Sequence, residues 1–361
     1  MAQPETAERR VALSPLRARV AGLNTRAFVA RIGAYQSGGL LVALLALGTY
    51  FTFANANFLT RSNLLVVLLQ VAVVGLVAIP QAMLVLSGFV DLSVGAVAVL
   101  ASGVFGQMMK VNGLPLWASI AVALGVGAGW GFFNGVLVAY LDFSPIIVTL
   151  GGFAAARGVA EAITHDETRF GFGDAFAVLG NGEVLGVPVP AIIFGGVFLV
   201  GAYIWYEMPV GRHMTAIGAD SAAARALGVS VRRIPALLYT ASGVAAAAGG
   251  LIITSELDGA SLSIGVGLEL QVLTAVLVGG VAFSGGRGSL WGVLFGVLFV
   301  GVLNNGLVLM NIGPYVANIA VGAVLLAAAG ADAFYQRLER IPVRVAEPQG
   351  QPGAPAKAAE T

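Results

Sequence analysis

The chain has no cysteine among its 361 residues and only two histidines, His165 and His213. The missing thiols exclude disulfides, iron–sulfur clusters and thiol catalysis. The two histidines fall in predicted loops on opposite sides of the molecule, and no His-Glu-x-x-His or Gly-x-Ser-x-Gly motif occurs. We therefore predict that this chain has no catalytic residue, no metal site and no cofactor of its own.

Charge is also scarce, since only 10% of the residues are charged whereas 58% are hydrophobic. A soluble domain carries about 25% charged residues. Apolar stretches of about 20 residues recur along the chain, and each is long enough to cross a bilayer as a helix. The 50 glycines suit close packing and interruption of membrane helices. The composition predicts an all-α integral membrane protein.

We predict about ten transmembrane helices, with broken or re-entrant helices near 80–95 and 267–287. The predicted spans are 38–54, 62–78, 80–109, 116–140, 144–164, 189–207, 232–255, 267–282, 288–310 and 314–334. The remaining segments are a cytoplasmic tail at 1–37, a polytopic domain at 38–336 with a cytoplasmic loop at 208–231, and a second cytoplasmic tail at 337–361. A signal peptide ending at Ala54-Asn55-Ala56 is disfavoured, because the charged region before the apolar run is too long.

The basic residues are distributed unevenly across the predicted loops. With the N-terminus inside, 15 of the 19 Lys and Arg residues are cytoplasmic, Arg157 lies within a span, and the outside holds Arg61, Lys110 and Arg169. Basic residues accumulate in cytoplasmic loops of membrane proteins. This asymmetry predicts that both termini are cytoplasmic.

A faint internal repeat divides the chain into two halves. Asn134-Gly135 precedes Pro145, and Asn305-Gly306 precedes Pro314, about 170 residues further on. The fourth span would run inwards and the ninth outwards. The pattern therefore predicts two inverted repeats, which are typical of transporters with a pathway at the repeat interface.

The polar interruption at 212–233 contains a short alanine-rich helix. Asp220 is a suitable N-cap, and Gly228 stands where a left-handed residue would end the helix. So short a helix is unstable alone and is expected to rest on another surface. An ordinary cytoplasmic loop is the other interpretation.

Acidic residues provide the remaining polar candidates. Asp91 would cap the second half of a broken helix, assisted by Ser93, or would contact a substrate directly. Arg157 and Glu161 are four residues apart and would form a structural pair. Glu256, Asp258 and Glu269 would either meet a soluble partner outside the membrane or belong to a solvated loop.

The glycine-rich run at 279–289 invites a phosphate-loop interpretation. It lacks the Gly-Lys-Ser/Thr ending and the strand–loop–helix setting of such a loop. We predict a tight turn between two spans instead.

Several stretches together resemble the permease subunits of bacterial ATP-binding-cassette importers for monosaccharides, of the ribose, xylose, galactose and inositol type. The resembling stretches, which extend over about residues 60–315, are Gly88-x-x-Asp91-Leu92-Ser93-Val94-Gly95, Asn134-Gly135, Ile147-Val148-Thr149-Leu150-Gly151, Gly218 to Val229, Ser284 to Ser289 and Asn304-Asn305-Gly306. Phe89-Val90 replaces the Gly-Ile-like pair that is usual in the family, and Asp220 replaces an Asn. The first difference leaves open which sugar is carried, whereas Asn and Asp cap helices comparably.

The resemblance implies a homodimeric permease in the bacterial inner membrane. Its partners would be an ATP-binding-cassette ATPase that holds ATP and Mg, an extracytoplasmic sugar-binding protein, a second copy of the permease and membrane lipid, with no nucleic acid. The segment from Gly218 to Val229 would be the helix that couples to the ATPase, with Gly218, Asp220, Ala223, Ala224, Arg225 and Gly228 as coupling residues. The pathway candidates are Asp91, Ser93, Asn134, Thr149 and Asn305, and the candidates for binding-protein contact are Glu256 and Asp258.

Two other functions fit the same pattern. The branched-chain amino-acid permeases share the general fold and the coupling loop. A secondary transporter or channel working alone would also use inverted repeats, although it usually needs a membrane-embedded ionisable relay, and this chain offers little beyond Asp91, Arg157 and Glu161.

Overall fold

The computed structural model describes residues 25–339. In this part of the chain the helices are α1 Thr25–Ala54, α2 Arg61–Leu86, α3 Val94–Lys110, α4 Leu116–Ala139, α5 Pro145–Thr164, α6 Asp174–Asn181, α7 Val189–Ala202, α8 Pro209–Ala219, α9 Ser221–Ala226, α10 Arg233–Glu256, α11 Leu268–Val278, α12 Leu290–Leu309 and α13 Pro314–Glu339. A π-helical stretch, Tyr203–Glu207, continues α7. The strands are β1 Arg169–Phe170, β2 Glu183–Val184, β3 Val187–Pro188 and β4 Gly259–Ala260, paired antiparallel as β1 with β4 and β2 with β3.

The helices confirm an all-α multi-pass membrane protein. Among the described residues, seven helices are long and apolar enough to span a membrane, and three shorter apolar helices lie at Gly38–Ala54, Val94–Lys110 and Leu268–Val278. Residues 1–24 and 340–361, which make up most of the tails predicted at 1–37 and 337–361, lie outside the described residues. Helix α1 begins at Thr25, within the segment predicted as the N-terminal tail, and the cytoplasmic position of both tails stays a prediction.

The boundary predicted between the second and third spans is wrong. Helix α2 is continuous through Pro80, because a proline inside a membrane helix is tolerated where neighbouring groups satisfy the backbone. The helix ends instead at Leu86, with Ser87 as its C-cap, because Gly88 has a φ of +82°. Gly88 N donates to Val85 O and Phe89 N donates to Leu84 O, both at 2.9 Å, which is the Schellman arrangement.

The eighth predicted span is short, as expected. Helix α11 contains eleven residues and lies between two non-helical segments, 257–267 and 279–289 apart from the two residues of β4. Eleven residues measure about 16 Å along a helix, roughly half of the hydrocarbon thickness.

Helix packing repeats from one half of the molecule to the other. Helix α4 packs on α10, and its counterpart α12 packs on α2. Helix α3 contacts α4 and α5, and in the same way its counterpart α11 contacts α12 and α13. Helices α3, α4, α5 and α7 lie between α2 and α10, so α2 and α10 cross the membrane in opposite directions. The two halves are therefore inverted, and their central helices α2 and α10 are the most buried of the seven long spans.

The connecting segments form two groups at opposite ends of the helices. At one end Arg61 pairs with Glu183 at 3.2 Å, and Lys110 donates to the carbonyl of Gly171. At the other end Arg232 pairs with Asp142 at 3.5 Å. This grouping is the one expected when successive spans cross the membrane in opposite directions, because successive loops then lie at opposite ends of the helices.

Candidate functional site

A buried polar network lies at the break between α2 and α3. Asp91 Oδ1 accepts hydrogen bonds from the amide and the hydroxyl of Ser93 at 3.0 and 2.6 Å, and its Oδ2 accepts one from Ser242 Oγ at 2.9 Å. Asn134 Nδ2 donates to Ser93 Oγ at 3.0 Å. All four residues are at most 2% exposed. The network joins the break to α4 and α10 by hydrogen bonds that are strong in an apolar interior.

Asp91 does not cap α3 in the predicted way. The N-cap position of α3 is Ser93, whose side chain makes no capping bond, and Asp91 accepts the amide of Ser93 itself. The reason is geometric, since Asp91 lies two residues before the N-cap and is too early to reach the first-turn amides of α3. Its carboxylate instead holds two serine hydroxyls from different elements.

Two buried polar atoms beside this network have no hydrogen-bond partner among the described residues, namely Asn134 Oδ1 and Trp130 Nε1. Both lie near Gly152, since a Cβ on that glycine would stand 2.9 Å from Asn134 Oδ1 and 3.4 Å from Trp130 Nε1. A side chain at position 152 would therefore crowd Asn134 Oδ1, so the glycine allows α5 to lie close against α4 at this point.

The other two pathway candidates make bonds that occupy their polar groups. Thr149 is fully buried and its hydroxyl donates to the carbonyl of Pro145 at 2.8 Å, within α5. Asn305 exchanges two hydrogen bonds of 2.9 Å with Asn63 across α12 and α2. The structure does not bring Asn305 into the Asp91 network, and both side chains act in helix packing.

The predicted caps of the short helix α9 are confirmed. Asp220 Oδ1 accepts from the amides of Ala222 and Ala223 at 2.9 and 3.0 Å. Gly228 has a φ of +81°, and Val229 N donates to Ala224 O at 3.0 Å, which closes a Schellman motif. The sequence therefore fixes both ends of this six-residue helix.

Helix α9 exposes one face and buries the other. Ala223 and Arg225 are exposed and Ala224 is 2% exposed, so Ala224 contacts the protein interior rather than a partner. Leu227, which follows the helix, is 83% exposed. Sequence reasoning missed Leu227, although a large apolar residue between a helix and its terminating glycine is a usable signal for an interaction surface.

Gly218 also faces inwards. A side chain there would overlap with Leu86 O and Gly286 N, so Gly218 itself is not on a partner surface. A Cβ on Gly285 would stand 2.9 Å from both Gly218 Cα and Gly88 N. We call Gly88, Gly218, Gly285 and Gly286 the glycine junction.

The glycine junction connects three parts of the chain by backbone contact. Gly286 N donates to Leu86 O at 2.7 Å, which joins the turn after α11 to the end of α2. Gly218, at the end of α8, contacts both Leu86 and Gly286. Three backbones can approach one another this closely because glycine has no side chain. The end of α8 is thus in backbone contact with both the end of α2 and the turn after α11.

The residues proposed to meet a soluble partner lie together at the opposite end of the molecule. Asp258 accepts from Gly171 N at 3.1 Å and from Phe172 N at 2.8 Å. Its carboxylate thus holds the loop of β1 against β4. Glu256 is the last residue of α10 and is exposed.

Ser242 and Tyr239 were missed as members of the site. Tyr239, fully buried, donates its hydroxyl to Val90 O at 2.9 Å, beside Asp91. They lie three residues apart on α10, so they share one helix face. A serine and a tyrosine at this spacing in an apolar span give a weak signal that nothing else in the sequence strengthens.

The two inverted halves and the paired breaks define an α-helical membrane transport component. The chain matches the family described as branched-chain amino acid transport system / permease component over residues 63–329, and it belongs to this family.

Its relatives include several import permeases. It is 36% identical over 297 residues to the ribose import permease of Haemophilus influenzae, covering 81% of this chain and 92% of the relative. It is 32% identical over 315 residues to the fructose import permease of Rhizobium meliloti, with coverages of 83% and 85%. It is 29% identical over 295 residues to the D-allose transport system permease of Escherichia coli, with coverages of 82% and 90%.

Proposed function

We propose that this chain is the membrane-spanning permease subunit of an ATP-binding-cassette importer for a monosaccharide or a similar polyol. The observation that carries the proposal is α9, a short helix capped at both ends whose exposed face is followed by Leu227. The proposal is also supported by the similarity of most of the chain to the ribose, fructose and allose permeases. ATP and Mg would be held by a separate ATPase, so that this chain is not an enzyme.

The ATPase would dock on α9. Ala222, Ala223 and Ala226 are small and exposed, so a partner cleft can approach the helix closely. Arg225 can meet a carboxylate, and Leu227 can enter an apolar pocket of the partner. Asp220 and Gly228 fix the ends of this surface and would not themselves carry the contact.

Coupling would then pass through the glycine junction. Closure of the ATPase on ATP would move α9 and α8, and the backbone contacts at Gly218 would transmit this movement to both helix breaks. No catalytic residue is needed in this chain, because the permease only has to rock its two halves about a pathway.

The membrane topology of the proposal rests on the positive-inside asymmetry. It places α9 and both termini in the cytoplasm, and Glu256 and the loop around Asp258 outside, where an extracytoplasmic sugar-binding protein would dock. The importer would contain two copies of the permease in the bacterial inner membrane.

The family description names branched-chain amino acid transport, and this substrate class is the second candidate. The three relatives named above favour a sugar, since each is named as the permease for a sugar. Uptake assays with ribose, fructose, allose and leucine separate the two substrate classes.

The docking experiment uses bulky substitutions on the exposed face of α9. We expect Ala223→Trp and Ala226→Trp to leave the permease folded in the membrane while co-purification with the ATPase and uptake both fall. Gly228→Val should have a similar effect, because a β-branched residue resists the left-handed conformation. Val111→Trp, at an exposed site on the other side of the membrane, is the control and should keep both activities.

Full ATPase binding and full uptake in the α9 variants would mean that α9 is an ordinary loop.

The orientation of the permease in the membrane is tested in the same cysteine-free chain. Thr215→Cys should react with an impermeant thiol reagent only from the cytoplasm, and Ala175→Cys only from outside. Reaction of Thr215→Cys from outside would contradict the assignment of the coupling surface.

A further inference from the structure

A non-helical segment enters the membrane beside α3. We call residues 259–267 the re-entrant segment. A Cβ on Gly106, near the outer end of α3, would stand 2.8 Å from Ala260 Cβ, and Gly265 lies against Gly95 in the first turn of the same helix. Eleven residues of helix separate these contacts, so the segment descends about 16 Å along α3.

The re-entrant segment is partly uncovered. Ser263 is exposed and Val266 is 62% exposed. Non-helical backbone at membrane depth occurs only where protein buries it or where it lines a water-filled cavity, because lipid cannot satisfy its polar groups. The exposed residues of this segment therefore face water or another protein surface, and not lipid.

A charged pair on α5 leads to the same conclusion from the first half of the molecule. Arg157 Nε lies 3.4 Å from Glu161 Oε1, and both side chains are more than one-third exposed. In a twenty-residue span these residues lie about 4 and 10 Å from the middle of the helix. A charged side chain facing lipid near the bilayer centre costs about 3 kcal/mol, so this face of α5 is not lipid-facing.

Glu269 joins these two surfaces. In the part of the chain that the structure describes, its buried Oε2 has no hydrogen-bond partner, and it lies against Gly95, where a side chain would overlap with it. Leu262 of the re-entrant segment packs in one apolar cluster with Ala156 and Ala160 of α5. Glu269 follows the re-entrant segment by two residues, so the charged face of α5 and the re-entrant segment border one space.

We propose that the re-entrant segment, Glu269 and the Arg157–Glu161 pair line a water-filled outer vestibule of the translocation pathway, in which the hydroxyl groups of a polyol bind. Carboxylates accept hydrogen bonds from hydroxyl groups and the guanidinium donates them. The sugar contact rests on the proposed function, whereas the water-filled lining does not.

The test uses single cysteines in the full-length, cysteine-free chain in membranes. Glu161→Cys and Ser263→Cys should react with a charged, membrane-impermeant methanethiosulfonate reagent at least about ten times faster than a lipid-facing cysteine, because the reactive thiolate forms in water. Val159→Cys is the matched control, since Val159 is 40% exposed on the opposite face of α5. Ribose, fructose or allose should slow the reaction at positions 161 and 263.

Several results would overturn the proposal. Reaction at positions 161 and 263 no faster than at 159 would exclude a water-filled lining. Oxidative cross-linking of Ser263→Cys between two copies, without labelling, would make the segment an interface between copies. Fast labelling without protection by any of these sugars would overturn the polyol contact. If positions 161 and 263 are labelled fast but the wild-type protein transports none of these sugars, the proposed function is contradicted. The water-filled lining would still be supported.

Discussion

The segments 87–93 and 257–267 follow equivalent helices, α2 and α10, in the two inverted halves, yet their surroundings differ. In the first segment, Asp91 and Ser93 are at most 2% exposed and bonded within the protein. In the second, Ser263 is exposed, and Glu269, just beyond it, keeps one buried oxygen that has no hydrogen-bond partner within residues 25–339. Equivalent segments of the two halves therefore differ in role. The first joins neighbouring helices by hydrogen bonds, whereas the second leaves polar groups without hydrogen bonds to the described part of the protein.

The difference has a packing origin. Helix α10 covers the first segment and contributes Ser242 and Tyr239 to it. The second segment instead descends along α3, where Gly95 and Gly265 permit backbone contact, and its outer side stays uncovered. Changes in the first segment should therefore mainly lower stability, whereas changes in the second should mainly lower transport.

The largest effect is expected at Asp91. Asp91→Leu removes the acceptor for three buried donors, each of which costs about 1–3 kcal/mol when left unbonded, so we expect a loss of about 3–5 kcal/mol. Asp91→Asn keeps an acceptor oxygen for Ser93 and should cost about 1 kcal/mol. Thermal unfolding of the purified variants measures both. A folded Asp91→Asn variant that has lost uptake entirely would assign the charge a direct role in transport.

A smaller effect is expected at the glycine junction. Gly218→Ala places a methyl group against Leu86 O and Gly286 N, and overpacking of this kind costs about 1–3 kcal/mol. Gly151→Ala is the matched control, because a methyl group added to that helical glycine would have no neighbouring atom within 4 Å, so its thermal stability should be unchanged or raised. Equal stability of both variants would mean that the junction adapts freely and does not transmit movement.

Local sequence rules predicted the features that depend on neighbouring residues. Composition predicted the spans, and the cap rules predicted both ends of α9. These local rules did not predict contacts between distant parts of the chain. The sequence places Gly218 in the coupling segment, but its contact with Gly286 depends on how two breaks pack. Ser242 joins Asp91 across 151 residues, and no spacing within either segment encodes that pairing.

At Glu269 we expect transport to change more than stability. Glu269→Gln keeps the shape of the side chain but removes its charge, and should alter stability by less than about 1 kcal/mol, since Oε2 makes no hydrogen bond to lose. Uptake should fall about tenfold, the difference between a hydrogen bond to a charged and to a neutral group. Uptake and ATPase co-purification measured on the same membranes separate this effect from loss of assembly. Full uptake would remove Glu269 from the pathway.

The smallest effect on stability is expected at Ser263. Its side chain is exposed, so Ser263→Ala should change the free energy of unfolding by no more than about 0.5 kcal/mol. Ser93→Ala is the opposing variant in the first segment, because it removes a buried hydroxyl that donates to Asp91 and accepts from Asn134, and it should cost about 1–3 kcal/mol. Thermal unfolding of the two variants side by side tests the comparison directly. Equal losses would show that the second segment is covered in the assembled protein, and the division between a structural and a water-lined break would then be wrong.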